Sequence, residues 1–315
     1  MTLHAIVAAL GGDLYSGGRR ANVAAPGHSR ADRSISLMLD GDHLVIHGFG
    51  STDWRTVRDH LKTLGLIDAR GRLAGDSVPA SSQPSSLRDA PLPSPSARQR
   101  VATAQALWGQ GLRLEEGDLC HRHFRLRGVD LPNGVTDLRR HPDVRIAVYR
   151  NAGPTCPALL AAIRAPDGEL SGVEITYLDP DGKAARHLRL PRKTVGVVPP
   201  ASAVRLSALD SHIMVGEGVV TTLSAMARFG LPGWALLSAG NLARWSPPSP
   251  VHRVLIAGDR GRVGEKAALD LRDRLMAAGL AASVRLPPPG CGDWNDAVGW
   301  KGEEEGRDGA PTWRG

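Results

Sequence analysis

Apolar positions change their period along the chain, and those changes divide it. Between 201 and 300, short apolar runs alternate with stretches of helical period. His212–Gly216, Trp234–Leu237, Val254–Gly258 and Ala282–Leu286 read as strands. Val219–Phe229 and Gly264–Ala278 read as helices, the second closed by Gly279, and Gly240–Trp245 as a short helical turn. Strands and helices in alternation predict an α/β fold, a parallel sheet covered on both faces.

Upstream the pattern differs. Residues 99–200 read as a mixed α/β region. Val101–Gly109 has helical character, and Ala158–Ala165, Gly172–Tyr177 and Ala185–Leu190 read as strands. The turns Pro166-Asp167-Gly168 and Pro180-Asp181-Gly182 join them into an antiparallel meander. Residues 1–75 form a smaller unit: a short helix over Met1–Leu10, a loop around Gly17, Gly18, Arg19 and Arg20, and a hairpin. The hairpin pairs Ser34–Leu39 with His43–His47 across Asp40-Gly41-Asp42. An amphipathic helix over Thr52–Leu64 follows, with Val57, Leu61 and Leu64 on one face and Gly65 as its stop. Residues 76–98, DSVPASSQPSSLRDAPLPSPSAR, lack periodicity and read as a Ser/Pro linker. Residues 301–315 read as a disordered tail. No internal repeat is visible.

Composition adds partners and removes some chemistries. Hydrophobic residues make up 42% of the chain, enough for a core. A net charge of +7 favours a polyanion such as nucleic acid. Cys120, Cys156 and Cys291 stand far apart, which excludes a disulfide framework and a Cys-type zinc site. No basic-then-apolar leader and no long apolar run is present, so a soluble cytoplasmic protein without a membrane partner is expected. Arg19-Arg20, Arg139-Arg140, Arg189 to Lys193 and Arg260-x-Arg262 are candidate phosphate contacts. Cys120-His121-Arg122-His123 is read as strand, where neighbours diverge, so no metal is expected there. No G-x-x-x-x-G-K-[ST] loop marks an ATPase, and Tyr15, Tyr149 and Tyr177 offer no well-placed topoisomerase nucleophile.

The candidate chemistry is acidic. Met214-Val215-Gly216-Glu217-Gly218, Leu255-Ile256-Ala257-Gly258-Asp259 and Pro289-Gly290-Cys291-Gly292-Asp293-Trp294-Asn295-Asp296 each place carboxylates at or beyond a strand end. Open parallel sheets bind ligands beyond the carboxyl ends of their strands. Carboxylates gathered there repel one another unless a cation intervenes. Mg²⁺ suits such a site, because it takes few carboxylates and fills its shell with water and phosphate oxygens. Either acid alone reads more readily as a helix cap; the three segments in order turn the reading toward a metal site.

These segments resemble the Toprim domain, the fold shared by bacterial primases, type IA and II topoisomerases and some nucleases. Glu217 matches the glycine-flanked Glu of that family, often assigned acid/base work. Asp259 matches the first Asp of its Asp-x-Asp metal pair, and Asp293 its third acidic position. The second Asp of the pair is Gly261 here, and Glu265 is a candidate substitute. Residues 157–208 resemble the region before Toprim in primase-like proteins of phages, plasmids and integrated elements. Residues 19–64 resemble a zinc ribbon that has lost its ligands. Pro26-Gly27-His28 persists, but the cysteine positions read Val23, Gly48 and Ser51, so no zinc is expected. Its hairpin must then be held by Leu37, Leu44, Ile46 and Phe49 against Val57 and Leu61.

The resemblance implies RNA primer synthesis on single-stranded DNA with NTPs and Mg²⁺ or Mn²⁺, beside a separate helicase. Metal would lie on Glu217, Asp259, Asp293 and Asp296, with Glu217 and Asp259 catalytic. Lys193, Arg192 and Arg260 would face template or nucleotide. The alternatives are a catalytically impaired nucleic-acid-binding relative, favoured by Gly261, and a Toprim nuclease. Trp294, next to Asp293, is read either as a base-stacking platform or as packing under its loop.

Overall fold

A computed structural model describes residues 3–15, 17–27, 30, 33–48, 54–74, 95–132 and 134–299. The chain divides into two compact units, 1–92 and 93–315.

In the first unit, α1 (Leu3–Leu10) leads into a four-stranded antiparallel sheet. Its strands are β1 (Gly12–Tyr15), β2 (Arg20–Val23), β3 (Ile35–Asp40) and β4 (His43–Gly48), paired in chain order, and α2 (Trp54–Thr63) follows. The Gly/Arg segment expected as loop is therefore a hairpin. Gly17 and Gly18 supply its turn, and flanking strands of four residues are too short to show a period. Leu37, Leu44, Val57 and Leu61 do form one core, with Ile46 packed against it, joined by Leu3, Ile6 and Leu10 of α1. Val23, at a position the zinc ribbon gives to cysteine, is fully buried in that core. His28, Phe49 and Ser51 lie outside the described residues, as do most of the Ser/Pro linker and the whole tail.

The second unit begins inside the expected linker. Ser96 caps α3 (Ala97–Gln110): its Oγ accepts from Gln99 N at 3.2 Å while Gln99 Oε1 accepts from Ser96 N at 2.8 Å. Then come α4 (Leu119–Arg125) and an antiparallel sheet of β5 (Leu138–Arg145), β6 (Thr155–Arg164), β7 (Leu170–Tyr177) and β8 (Arg192–Gly196), in that order. Three elements here depart from the sequence reading. Ala185–Leu190 is not a strand: Leu188 N donates to Ala185 O at 3.0 Å, closing a turn. The apolar alternation there marks side chains packed on the sheet, and the next ladder starts at Arg192, after Pro191. β5 was hidden by its charges and by Pro142, which a register shift between His141 and Val144 accommodates. Cys120 to His123 lie on α4, not on a strand.

The remaining elements are β9 (Val204–Arg205), β10 (His212–Gly216), α5 (Val219–Phe229), β11 (Gly233–Ala235), α6 (Ala239–Leu242), β12 (Arg253–Ala257), α7 (Arg262–Ala277) and β13 (Ala281–Arg285). Their sheet runs β13-β12-β10-β11-β9, parallel except for the two-residue edge strand β9. Alternation sorts the side chains. Ile213, Val215, Val254 and Ile256 face α6 and α7, packing on Leu242, Ala268, Leu271 and Leu275. Met214, Leu255 and Ala257 face the other way, onto Leu223 and Met226 of α5 and onto Leu138, Leu159, Ala161 and Ile163 of the meander. The expected boundary at 200 thus falls within one shared core.

Candidate active site

The chain leaves β10 toward β11 on one side and returns to β12 on the other. That reversal opens a crevice beyond the carboxyl ends of β10 and β12, where α/β sheets bind ligands. Gly216 pairs with Ala257, so Glu217 and Asp259 leave adjacent strands one and two residues past the last rung. A Cβ at Gly216 would stand 2.5 Å from Thr222 Oγ1, so only glycine lets α5 start this close.

Glu217 is half-buried, and that burial raises its pKa. The Ala239 backbone N–H and the Arg192 guanidinium act in the opposite sense. The Glu217 carbonyl accepts from Leu237 N at 2.7 Å, and Leu237 holds a left-handed φ of 71°. Such a conformation is strained for leucine and is kept where the surroundings impose it.

Asp259 is strongly perturbed. Burial, then Glu217, Asp293 and Asp296, push its pKa up to about 7. Its Oδ1 is buried and finds no hydrogen-bond partner within the protein. The charges of the other three expected acids, Glu217, Asp293 and Asp296, thus all act on Asp259. Asp293 is partly committed: its Oδ2 accepts from Thr221 Oγ1 at 3.1 Å, and its Oδ1 accepts from Asn295 N at 2.7 Å and Asp296 N at 2.9 Å. Asp296 Oδ2 accepts from Gly292 N at 3.0 Å. Those bonds shape the loop, and Arg260 N, donating to Gly292 O at 2.8 Å, ties it to Asp259.

Among the described residues, no three His, Cys, Asp or Glu side chains form a ready-made metal cage. The donors nevertheless fit Mg²⁺, which is held by one or two carboxylates plus water and phosphate. Asp259, with its unpartnered oxygen, and Glu217 would hold it, with Asp293 and Asp296 behind. Such an ion would neutralise phosphate charge and lower the pKa of an attacking hydroxyl.

The other sequence candidates separate. Arg192 is exposed, and its charge acts on Glu217. Lys193, its neighbour on β8, points to the opposite face of the sheet, where its Nζ donates to Ile146 O and lies 4.9 Å from the Tyr177 ring centre. Burial there lowers its pKa. Arg260 spends its Nε on Pro287 O at 2.7 Å and Pro288 O at 3.2 Å. Arg139 lies over Trp108 and Arg140 pairs with Glu115. Glu265 Oε1 accepts from Gly261 N at 3.2 Å, capping α7 instead of replacing the missing Asp. Trp294 is buried edge-on against Phe229 at 5.0 Å, so its packing role holds. Glu174 on β7, which the sequence reading did not single out, is half-buried on the face that carries Arg192. Its alternation with Val173 and Ile175 was the available signal.

The class these features define is Toprim. Residues 212–304 match the Toprim domain family, and that part of the chain is a Toprim domain. Residues 98–206 match a domain of unknown function, DUF7146. No curated protein matches the chain. Similar solved structures include the primase fragment of the bacteriophage T7 primase-helicase protein, 16% identical, covering 60% of this chain and 70% of that one at TM-score 0.34. The Aquifex aeolicus primase, zinc-binding and RNA polymerase domains, is 14% identical over 94% of this chain and 79% of its own, TM-score 0.45. A DnaG primase catalytic domain bound to ssDNA is 15% identical over 66% and 79%, TM-score 0.44.

Proposed function

We propose that the protein is a primase-type nucleotidyltransferase, making RNA primers on single-stranded DNA from NTPs in the replication of a phage or mobile element. The observation that carries this reading is the buried, unpartnered Asp259 oxygen at the strand ends, on which the charges of Glu217, Asp293 and Asp296 act. Nucleotidyl transfer forms a bond from a 3′-hydroxyl oxygen to an α-phosphorus and breaks the bond to pyrophosphate. The hydroxyl proton must go to a base. Glu217, its pKa raised by burial, is a stronger proton acceptor than an exposed carboxylate. Arg192 suits the phosphates, whose charge grows on the leaving pyrophosphate. Mg²⁺ or Mn²⁺ would be the cofactor and single-stranded DNA the template, with a separate helicase to expose it.

Glu217→Gln should lower Mg²⁺-dependent NTP incorporation on single-stranded DNA by about 10²–10⁴-fold. Full incorporation by that variant overturns the proposal. A second reading, a binding protein with an impaired site, is supported by Gly261 in place of an acid. It expects DNA binding that weakens steeply with salt and ignores Mg²⁺, with no incorporation by the unmodified chain. Nicking of labelled DNA with Mg²⁺ or Mn²⁺, without incorporation, would instead indicate a Toprim nuclease.

A further inference from the structure

The first turns of α5 bury the hydroxyls of Thr221, Thr222 and Ser224, and use them differently. Thr222 Oγ1 donates to Gly218 O at 2.7 Å and Ser224 Oγ to Val220 O at 3.0 Å, each to the carbonyl four residues back. That back-bond is a common use of a hydroxyl inside a helix. Thr221 departs from it. The carbonyl four residues before Thr221 belongs to Glu217 and accepts from Leu237 N at 2.7 Å. Thr221 Oγ1 donates out of the helix instead, to Asp293 Oδ2 at 3.1 Å.

The loop that it reaches is fastened to the same helix by consecutive residues. Asn295 Nδ2 donates to Ser224 Oγ at 3.1 Å, one turn beyond Thr221, and to Arg127 O at 2.7 Å. Trp294, between the two, packs edge-on against Phe229 at the end of α5. That helix starts two residues after Glu217, so one rigid element links the first acid to the third. The bonds on Asp293 divide by oxygen. Its Oδ1 is held within the loop, by Asn295 N and Asp296 N, while Oδ2 is held from α5 by Thr221. Two bonds on one oxygen pin that atom but leave the carboxylate plane free to turn about it; the bond on Oδ2 fixes the plane. A neutral hydroxyl does this without cancelling the charge, as a Lys or Arg would, and each carboxylate oxygen has a second lone pair to offer.

We propose that Thr221 is a positioning residue whose hydroxyl sets the plane of the Asp293 carboxylate and so tightens the hold of the crevice on a divalent cation. This rests on the reading of Glu217, Asp259, Asp293 and Asp296 as a Mg²⁺ or Mn²⁺ site. Partners that orient carboxylates around a metal typically carry about 10- to 100-fold of its affinity.

Thr221→Val removes the donor and keeps the branched shape, and Thr221→Ala removes the donor with less bulk. The affinity of the full chain for Mn²⁺ alone, read from the electron paramagnetic resonance signal of the free ion, should fall about tenfold in each. Thr221→Ser should recover most of that loss. In an Asp293→Asn background, Thr221→Val should add little, because the two groups act as one. Thr222→Val deletes a buried hydroxyl bonded to Gly218 O and should leave the affinity unchanged. The proposal is overturned by unchanged affinity in the two Thr221 variants, by a loss that persists in full beside Asp293→Asn, by an equal loss in Thr222→Val, or by a chain that binds no Mn²⁺. A coupled loss in a chain that incorporates no NTP sinks the polymerase reading and leaves this one standing. Incorporation with uncoupled losses does the reverse.

Discussion

At the scale of single residues, Gly261 carries more than a missing carboxylate. It adopts φ 104°, ψ 153° as the N-cap of α7, a conformation that L side chains rarely take. A Cβ there would meet nothing within 4 Å, so the obstacle is the backbone and not space. The loop has therefore settled into a glycine-only shape. Gly261→Asp should lower stability by about 1–3 kcal/mol, read as a lower urea midpoint at unchanged m. It should not recover Mg²⁺ affinity in step with the added charge. A variant as stable as the parent would show that the loop relaxes freely. Asp259 has the opposite character: its surroundings leave one oxygen without a partner and raise its pKa to about 7. Nothing in an isolated Ala-Gly-Asp-Arg segment announces either property.

At the scale of elements, strong periodicity was readable and short or charged strands were not. α5 agrees with its expected bounds, and β10 likewise, because apolar runs and glycine stops coincide there. β1, β2, β5 and β9 escaped because two to four residues cannot show alternation, or because charges and a proline interrupt it. α3 begins four residues before its expected start, at a reciprocal cap that Ser96 and Gln99 build at the end of a Ser/Pro-rich stretch. That cap holds the start of the helix that covers the outer face of the meander, where Ala104 and Trp108 meet Leu160, Ile175 and Tyr177. Ser96→Ala should cost about 1 kcal/mol, seen as an earlier thermal transition of the second unit. An unchanged transition would mean that packing alone holds the start of α3.

At the scale of the whole molecule, burial of imidazoles sets a pH dependence. Burial lowers the pKa of both His123 and His141. The unfolded chain then takes up protons from about pH 6.5 downward before the folded chain does. The stability they contribute is complete above that pH and is lost as pH falls through the lowered folded values. Urea midpoints should therefore fall as pH drops below about 6.5, and His123→Gln should flatten part of that slope. A slope unchanged in that variant would assign the titration elsewhere. On the same scale, the antiparallel sheet and the Toprim sheet share one core, through Leu138, Leu159 and Ile163 against Met214, Leu223 and Met226. Among the described residues, no helix is long and apolar enough to cross a membrane.

What the sequence determined by itself is whatever is local: the parallel alternation from 201 to 300, the glycine before Glu217 and the acid after β12. Period, turn chemistry and residue identity are properties of neighbouring positions, and they survive translation into structure. Tertiary structure decided which charges meet. Strand order put Glu217 beside Asp259, because β12 returned to the far side of β10. Alternation on an edge strand put Arg192 and Lys193 on opposite faces of the sheet, although the two are consecutive in sequence. Burial, which no window of residues contains, left the Asp259 oxygen unpartnered and moved its proton affinity to neutrality.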